Sequence, residues 1–301
     1  MQLLRKGKVK EVYAVDSSTL EFVFTDQISV FDKIIPVTVP HKGESLCRTS
    51  AFWFQFVKDM GVNTHFTELV ASNRMRVRRF DIITDYAKIT GETRHYLIPL
   101  EFVMRYYAAG SLMDRVAKGE VKAAELGFPP DHAVSYGEKL PQPYFELTTK
   151  FEKTDRHLSF EEAKSISGLS TEELDKIRSL ILSIDSAVQE EVGKRGLIHV
   201  DGKKEFALDR VRNPVLVDTF GTCDEDRWWD LDAYAQGKIE ELSKEFVRQY
   251  YRSTGYYSKL EASRSAHEPE PPIPALPDDI VKKTTQLYTD MFERITGESF
   301  S

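Results

Sequence analysis

The chain has 301 residues, a net charge of −7, and 41% hydrophobic and 30% charged residues. That is enough for one large or two medium globular domains, and the acidic balance argues against a general nucleic-acid binder, which needs a basic excess. Two cysteines, Cys47 and Cys223, without metal-type spacing imply no disulfide framework and fit a reducing cytoplasm; no apolar run reaches the roughly 20 residues of a membrane span, and no leader is expected at the N-terminus.

Gly7 is read as a tight turn before a strand over Val9 to Val15, with Leu20 to Thr25 as its partner. Lys8 and Lys10, two residues apart, then share a strand face. This suits a polyphosphate, with turn N–H groups and lysine point charges, although a basic surface hairpin is the favoured reading of this stretch alone. Ser29-Val30-Phe31-Asp32 opens a loop region running through Pro36, Pro40 and His41-Lys42-Gly43. A helix is expected over Leu46 to Met60, with Phe52, Trp53, Phe56, Val57 and Met60 on its apolar face and Gly61 ending it. Strands are expected at Arg74 to Phe80 and Leu97 to Met104, with a polar loop at Asp85 to His95 between them. A soft boundary here separates residues 1–100 from 101–301.

In Phe102 to Leu112 a strand carries Arg105 into Ala108-Ala109-Gly110-Ser111, where a helix is expected to begin. Small residues there let an anion approach backbone N–H groups, with Arg105 as a clamp; tight packing explains the same residues as well. Phe145 to Ser159 is charged and aperiodic, and reads as a functional loop containing Asp155 and His157. Ser159 with Glu162, and Ser170 with Glu173, have capping-box spacing. The second opens a helix bearing Leu174, Ile177, Ile181, Ile184 and Val188, ended by Gly193.

Gly196 to Trp229 is the most informative stretch. Alternation from Ile198 to Leu208 places Ile198, Val200, Phe206 and Leu208 on one strand face and Asp201, Lys203 and Glu205 on the other. Pro214 to Phe220 reads as a second strand. If Asp209 and Pro214 close the turn, Glu205 falls opposite Asp218, with Cβ atoms roughly 5 Å apart. Two facing carboxylates repel unless neutralised, and Mg²⁺ takes one or two carboxylates plus substrate phosphates. A solvated acidic hairpin accounts for the spacing equally well, and a one-residue slip separates the acids. Beyond it, Leu231 to Tyr251 reads as one helix with Lys244 and Arg248 a turn apart. Glu268 to Pro277 reads as a polyproline strap, and Asp278 as the cap of a final helix bearing Val281, Thr284, Leu287, Tyr288, Met291 and Ile295.

Taken together, Gly7-Lys-Val-Lys-Glu-Val-Tyr13, Ser29-Val-Phe-Asp32, Arg105 to Ser111, Thr149-Lys-Phe-Glu152, Leu197 to Phe206 and Asp218 to Trp229 make the chain resemble the SAICAR synthetase (phosphoribosylaminoimidazole-succinocarboxamide synthase) family, from about Leu4 to Ile295. The resemblance implies an α+β / α/β two-lobed ATP-binding fold, with a small N-terminal antiparallel β lobe, a larger α/β lobe and C-terminal helices. It implies a cytoplasmic, ATP- and Mg²⁺-dependent ligase that joins carboxyaminoimidazole ribotide (CAIR) to L-aspartate through an acyl phosphate. The partners implied are these small molecules, with no nucleic acid or membrane; a homo-oligomer is left open. Under the resemblance, Gly7, Lys8, Lys10, Glu205 and Asp218 are nucleotide-binding and Glu205 and Asp218 are metal-binding. Asp201, Lys203 and Lys150 serve the chemistry; Asp32, Arg105, Ser111, Arg227 and Arg248 bind substrate. The chain departs from the family with Tyr106 where Asn is common, and with Asp224-Glu225-Asp226 before Arg227 where small hydroxyl residues are usual. A small-molecule kinase on the same scaffold, or a non-enzymatic binding module, are the alternative readings.

Overall fold

A computed structural model describes residues 1–152 and 154–300. The first sheet is antiparallel: β1 (Gln2–Lys6), β2 (Lys10–Ala14) and β3 (Thr19–Phe24) are joined by β7 (Arg74–Arg78) and β6 (Phe66–Ala71) in the order β1-β2-β3-β7-β6. Alternation makes one face apolar, and Phe22, Phe24, Met75 and Val77 bury it against Trp53, Phe54 and Val57 of α1 (Lys42–Asp59). The helix starts earlier than expected because its cap is remote: the Asp26 carboxylate accepts from the Gly43 N–H at 2.9 Å. Residues 29–43 are not all loop. A separate hairpin, β4 (Gln27–Val30) and β5 (Lys33–Thr38), turns at Phe31 and Asp32, both at positive φ.

The second sheet has β10 (Lys139–Thr149), β9 (Leu100–Tyr107), β11 (Leu197–Leu208) and β12 (Pro214–Val217) in that order, with β8 (Tyr96–Leu97) and β13 (Asp226–Asp230) also pairing β11. Phe145 to Thr149, expected as loop, is thus the end of a strand. Between these strands lie α2 (Ser111–Ala117), α3 (Phe160–Ser167) and α4 (Thr171–Gly193). The apolar stripe of α4, from Leu174 to Val188, packs under β11. Ser170 and Glu173 form a reciprocal capping box. Ser159 caps α3, but the Glu162 carboxylate turns to Arg156 instead.

The expected helix from Leu231 to Tyr251 is two, α5 (Leu231–Ala235) and α6 (Glu245–Ser253), with Gly237 at positive φ between them. Then α7 (Tyr256–Ser265) and the proline-rich strap follow. Ile273 and Leu276 of the strap pack with α6, α7 and the β4–β5 hairpin, and Tyr251 and Tyr256 donate to its carbonyls. The last helix, α8 (Asp278–Thr296), lies against α1; Pro277 holds its N-cap position and Asp278 is its first helical residue. No helix among the described residues is long and apolar enough to cross a membrane.

Candidate active site

The floor is made by β9 and β11, which pair antiparallel with Asp201 opposite Arg105 and Lys203 opposite Val103. Strict alternation along β11 fails at Val200. His199 pairs with Trp228 and Asp201 with Arg227, so one residue is extra and the faces exchange. Ile198 and Val200 therefore pack with Trp229, apart from Phe206 and Leu208 in the main core, while Asp201 and Lys203 face the cleft and Glu205 is buried behind its wall. Gly202 lies on the opposite face, where a Cβ would come within 2.2 Å of the Asp226 carboxylate.

The register at the other end differs by one residue from expectation. Asp209 N–H donates to Asn213, and its carboxylate accepts from the N–H groups of Val211 and Asn213. The turn thus closes on Asn213, Pro214 pairs with Leu208, and Glu205 faces Val217, not Asp218. Asp218 follows the strand at φ 63°, which turns its side chain back toward the same corner. There it accepts from Lys10 and lies 3.7 Å from Lys150, whose ammonium also donates to Glu205. The two acids meet through lysines and not as a direct cross-strand pair. Among the described residues no group of three or more His, Cys, Asp or Glu is arranged to hold a metal ion.

A cleft of about 560 Å³ opens beside this corner. Its walls carry Lys8, Asp32, Arg105, Ser111, Asp201, Lys203, Arg227 and Arg248; Gly7, Lys10, Lys150, Glu205 and Asp218 are not on them. At one end Asp201 is gripped by Arg105, at 3.0 Å, and by Arg227. Arg105 also donates to Glu146 and, at 3.2 Å, to the Ser111 hydroxyl; Arg227 reaches Glu245 at 3.0 Å, which also takes Arg248 at 3.2 Å. Burial raises the Asp201 carboxyl, but Arg227 and Arg105 outweigh it and hold it below the usual range. Gly110, at φ 58°, leaves room for this: a Cβ there would sit 2.5 Å from the Arg227 guanidinium.

At the other end the Lys203 ammonium lies 2.7 Å from Glu101, 3.1 Å from Glu205 and 3.3 Å from Glu225. Burial lowers this lysine, yet Glu225, Glu205 and Glu101 raise it well above its ordinary value. Burial likewise raises Glu205, but Lys150, Lys203 and Lys10 pull it down to about 2. Lys10 is brought down to about 8 by burial, against the pull of Glu205 and Glu225. Lys8 is more open, on the Gly7 turn, and reaches Asp32 at the β4–β5 tip.

Glu101 was missed from sequence, although it lies four residues before Arg105 and so shares a strand face with it. The acidic triplet before Arg227 divides three ways. Asp224 is buried against Lys42 at 3.0 Å, Lys244 at 3.2 Å and the Tyr288 hydroxyl; Asp226 accepts from Gly221 N–H at 2.9 Å and lies 2.7 Å from His199. Asp224 and Glu225 both line the cleft, but the Asp224 side chain is 4% exposed and held by its lysines, whereas that of Glu225 is 24% exposed, so the triplet leaves Arg227 free for its own partners. Asp155 and His157 also reach the cleft, but His157 is nearest Glu146, at 3.8 Å.

Arginines at one end of the cleft, and Lys203 set among carboxylates at the other, are the charge pattern of a site for anionic ligands on a two-lobed α+β fold. The profile of the SAICAR synthetase family matches residues 3–263, and the chain belongs to that family. It is 54% identical over 300 residues to the phosphoribosylaminoimidazole-succinocarboxamide synthase of Thermoplasma acidophilum, covering 100% of both chains. An SAICAR synthetase solved in complex with ADP superposes with a TM-score of 0.70 at 26% identity, covering 99% of each chain. SAICAR synthase from Saccharomyces cerevisiae, complexed with SAICAR, gives a TM-score of 0.76 at 24% identity over 99% of this chain and 96% of that one, a likeness of fold. The chain is thus an ATP-dependent carbon–nitrogen ligase that joins CAIR and L-aspartate to give SAICAR in purine biosynthesis, and the kinase alternative is not favoured.

Proposed function

We propose that the two charge clusters divide the substrates between them. Residues 1–100 form the lobe that covers ATP, with phosphates received by the Gly7 turn, Lys8 and Lys10; residues 101–301 hold CAIR, L-aspartate and the metal. Arg105, Ser111, Arg227 and Arg248 take the ribotide phosphate, and Asp201 and Asp32 orient the ribotide. The observation that carries this reading is the sorting itself. Arg105, Ser111 and Arg227 sit together around Asp201, while Lys10, Lys150 and Lys203 converge on Glu205 and Asp218.

Glu205 and Asp218 suit Mg²⁺, which takes one or two carboxylates alongside phosphates. When bound it neutralises charge on the transferring phosphoryl group. Lys10, Lys150 and Lys203 neutralise the same acids meanwhile, so each has a cationic side chain available for incoming phosphate or carboxylate oxygens. Phosphorylation of the CAIR carboxylate to an acyl phosphate depends mainly on such positioning and neutralisation. Lys203 holds the reacting carboxylate and Lys150 steadies the transferring group; no protein nucleophile is required. Buried, unpaired Cys47 and Cys223 fit a reducing cytoplasm.

The test is separate calorimetric titration of ATP and CAIR into Arg105→Lys and Lys10→Met. The first variant should lose CAIR affinity and keep ATP affinity, and the second the reverse. An exchange of these losses would reverse the assignment.

A further inference from the structure

We propose that Glu225 is the carboxylate that receives the ammonium group of L-aspartate and removes its proton before attack, an assignment that rests on the ligase reading above. At neutral pH the amine carries a third proton and has no lone pair. It needs a base within hydrogen-bond reach, beside the activated carbon. On that reading Lys203 marks this carbon, and three carboxylates touch its ammonium.

Two of the three are engaged. Both Glu205 oxygens are taken by lysines, Oε2 by Lys150 and Oε1 by Lys203, and the residue is 1% exposed. Glu101 accepts from Lys203 at 2.7 Å through Oε1 and from the Thr148 hydroxyl at 3.2 Å through Oε2. Among the described residues Glu225 has only long contacts: 3.3 Å from Oε2 to Lys203 and 3.4 Å from the Thr219 hydroxyl to Oε1. Its side chain is 24% exposed, toward the cleft. It therefore retains accepting capacity that the other two have spent.

Its neighbours explain why it is presented so. Asp224 is pinned by Lys42, Lys244 and Tyr288, and Asp226 by His199 and Gly221 N–H, so the backbone on either side is anchored while Glu225 projects between. When CAIR draws Lys203 to its own carboxylate, Glu225 loses its cationic partner and faces the reacting carbon with a free oxygen.

The step balances. The ammonium gives one proton to Glu225, and the freed lone pair forms the C–N bond at the acyl-phosphate carbon. The C–O bond to phosphorus then breaks and phosphate leaves with that electron pair. The remaining surplus N–H proton passes to the departing phosphate as the amide forms, and Glu225 returns its proton to solvent.

The experiment compares L-aspartate with hydroxylamine as the nucleophile in wild type, Glu225→Gln and Glu225→Asp, with ATP, Mg²⁺ and CAIR present. Hydroxylamine is largely unprotonated at neutral pH, so it attacks an acyl phosphate without a base. In Glu225→Gln the aspartate-dependent kcat should fall about 100-fold, the ordinary contribution of a general base. Hydroxamate formation should stay at the wild-type rate, which also shows that the variant is folded. Glu225→Asp should recover part of the aspartate rate. An equal loss with both nucleophiles would make Glu225 a positioning residue for Lys203 and overturn the proposal. So would an unchanged kcat, including one accompanied by a raised KM for aspartate. Failure of the wild type to form either product would overturn the ligase reading itself.

Discussion

Replacing Glu205 with Gln removes the acid that three lysines surround, and the consequence for the ligand-free protein can be sized. Glu205 is buried, yet its carboxyl is pulled from the usual 4.5 to about 2, so the folded protein favours the charged form by about 3 kcal/mol. That agrees with the roughly 3–5 kcal/mol cost of removing one partner from a buried ion pair. The cost should fall mainly on Lys150, because Lys203 keeps Glu101 and Glu225 while Lys150 retains only Asp218, at 3.7 Å. A carboxyl with a depressed folded pKa stabilises above its unfolded value, and that contribution is lost as pH falls from 4.5 toward 2. Urea denaturation with chelator present should therefore find Glu205→Gln about 3 kcal/mol less stable than wild type at neutral pH. The gap should narrow as the medium becomes acidic through that window, and Lys150→Met added to Glu205→Gln should restore part of the loss. Equal or greater stability of Glu205→Gln at neutral pH would refute the reasoning, as would a gap that persists unchanged into acid.

Lys10→Met should raise the KM for ATP about ten- to a hundredfold, the scale of one charge-assisted contact of roughly 1.5–3 kcal/mol, with little change for aspartate. Because Lys10 sits near 8, ATP affinity of the wild type should weaken as pH rises through that value, and Lys10→Met should lack this limb in titrations. Arg105→Lys should weaken CAIR binding at least about tenfold, since an ammonium cannot span Glu146, Asp201 and the Ser111 hydroxyl as the guanidinium fork does. Gly110→Ala puts a Cβ against Arg227 at a strained φ, and calorimetry should show lost CAIR affinity with ATP affinity unchanged.

Local signals were legible where local physics decides. The α4 stripe, the Ser170 capping box, and the strands bearing Lys10 and Arg105 follow from periodicity and turn residues. Remote partners defeated the reading elsewhere. Asp26 caps α1 from another segment, and nothing near Lys42 in sequence reveals it. The Asp209 turn is closed by side-chain acceptance from Val211 and Asn213, which adds a residue and moves the register. Even so, the left-handed backbone at Asp218 returns that acid to the corner that Glu205 occupies, so the two acids share Lys150 although the cross-strand pair expected between them does not form. The bulge at Val200 is likewise invisible to alternation, because it depends on Asp226 and His199 meeting across β11 and β13. Glu225 gave no signal of its own; only the burial of the Asp224 and Asp226 side chains on either side separates it from an acidic run.

The central claim, a ligase whose two charge clusters bring CAIR and L-aspartate together at the expense of ATP, is tested most directly by following ADP and SAICAR together while each substrate is omitted in turn. SAICAR and ADP should appear in equal amounts with ATP, Mg²⁺, CAIR and L-aspartate all present, and sustained ADP release should stop when either CAIR or L-aspartate is left out. Steady ADP release without L-aspartate, with a stable phosphorylated ribotide accumulating in place of SAICAR, would contradict the account.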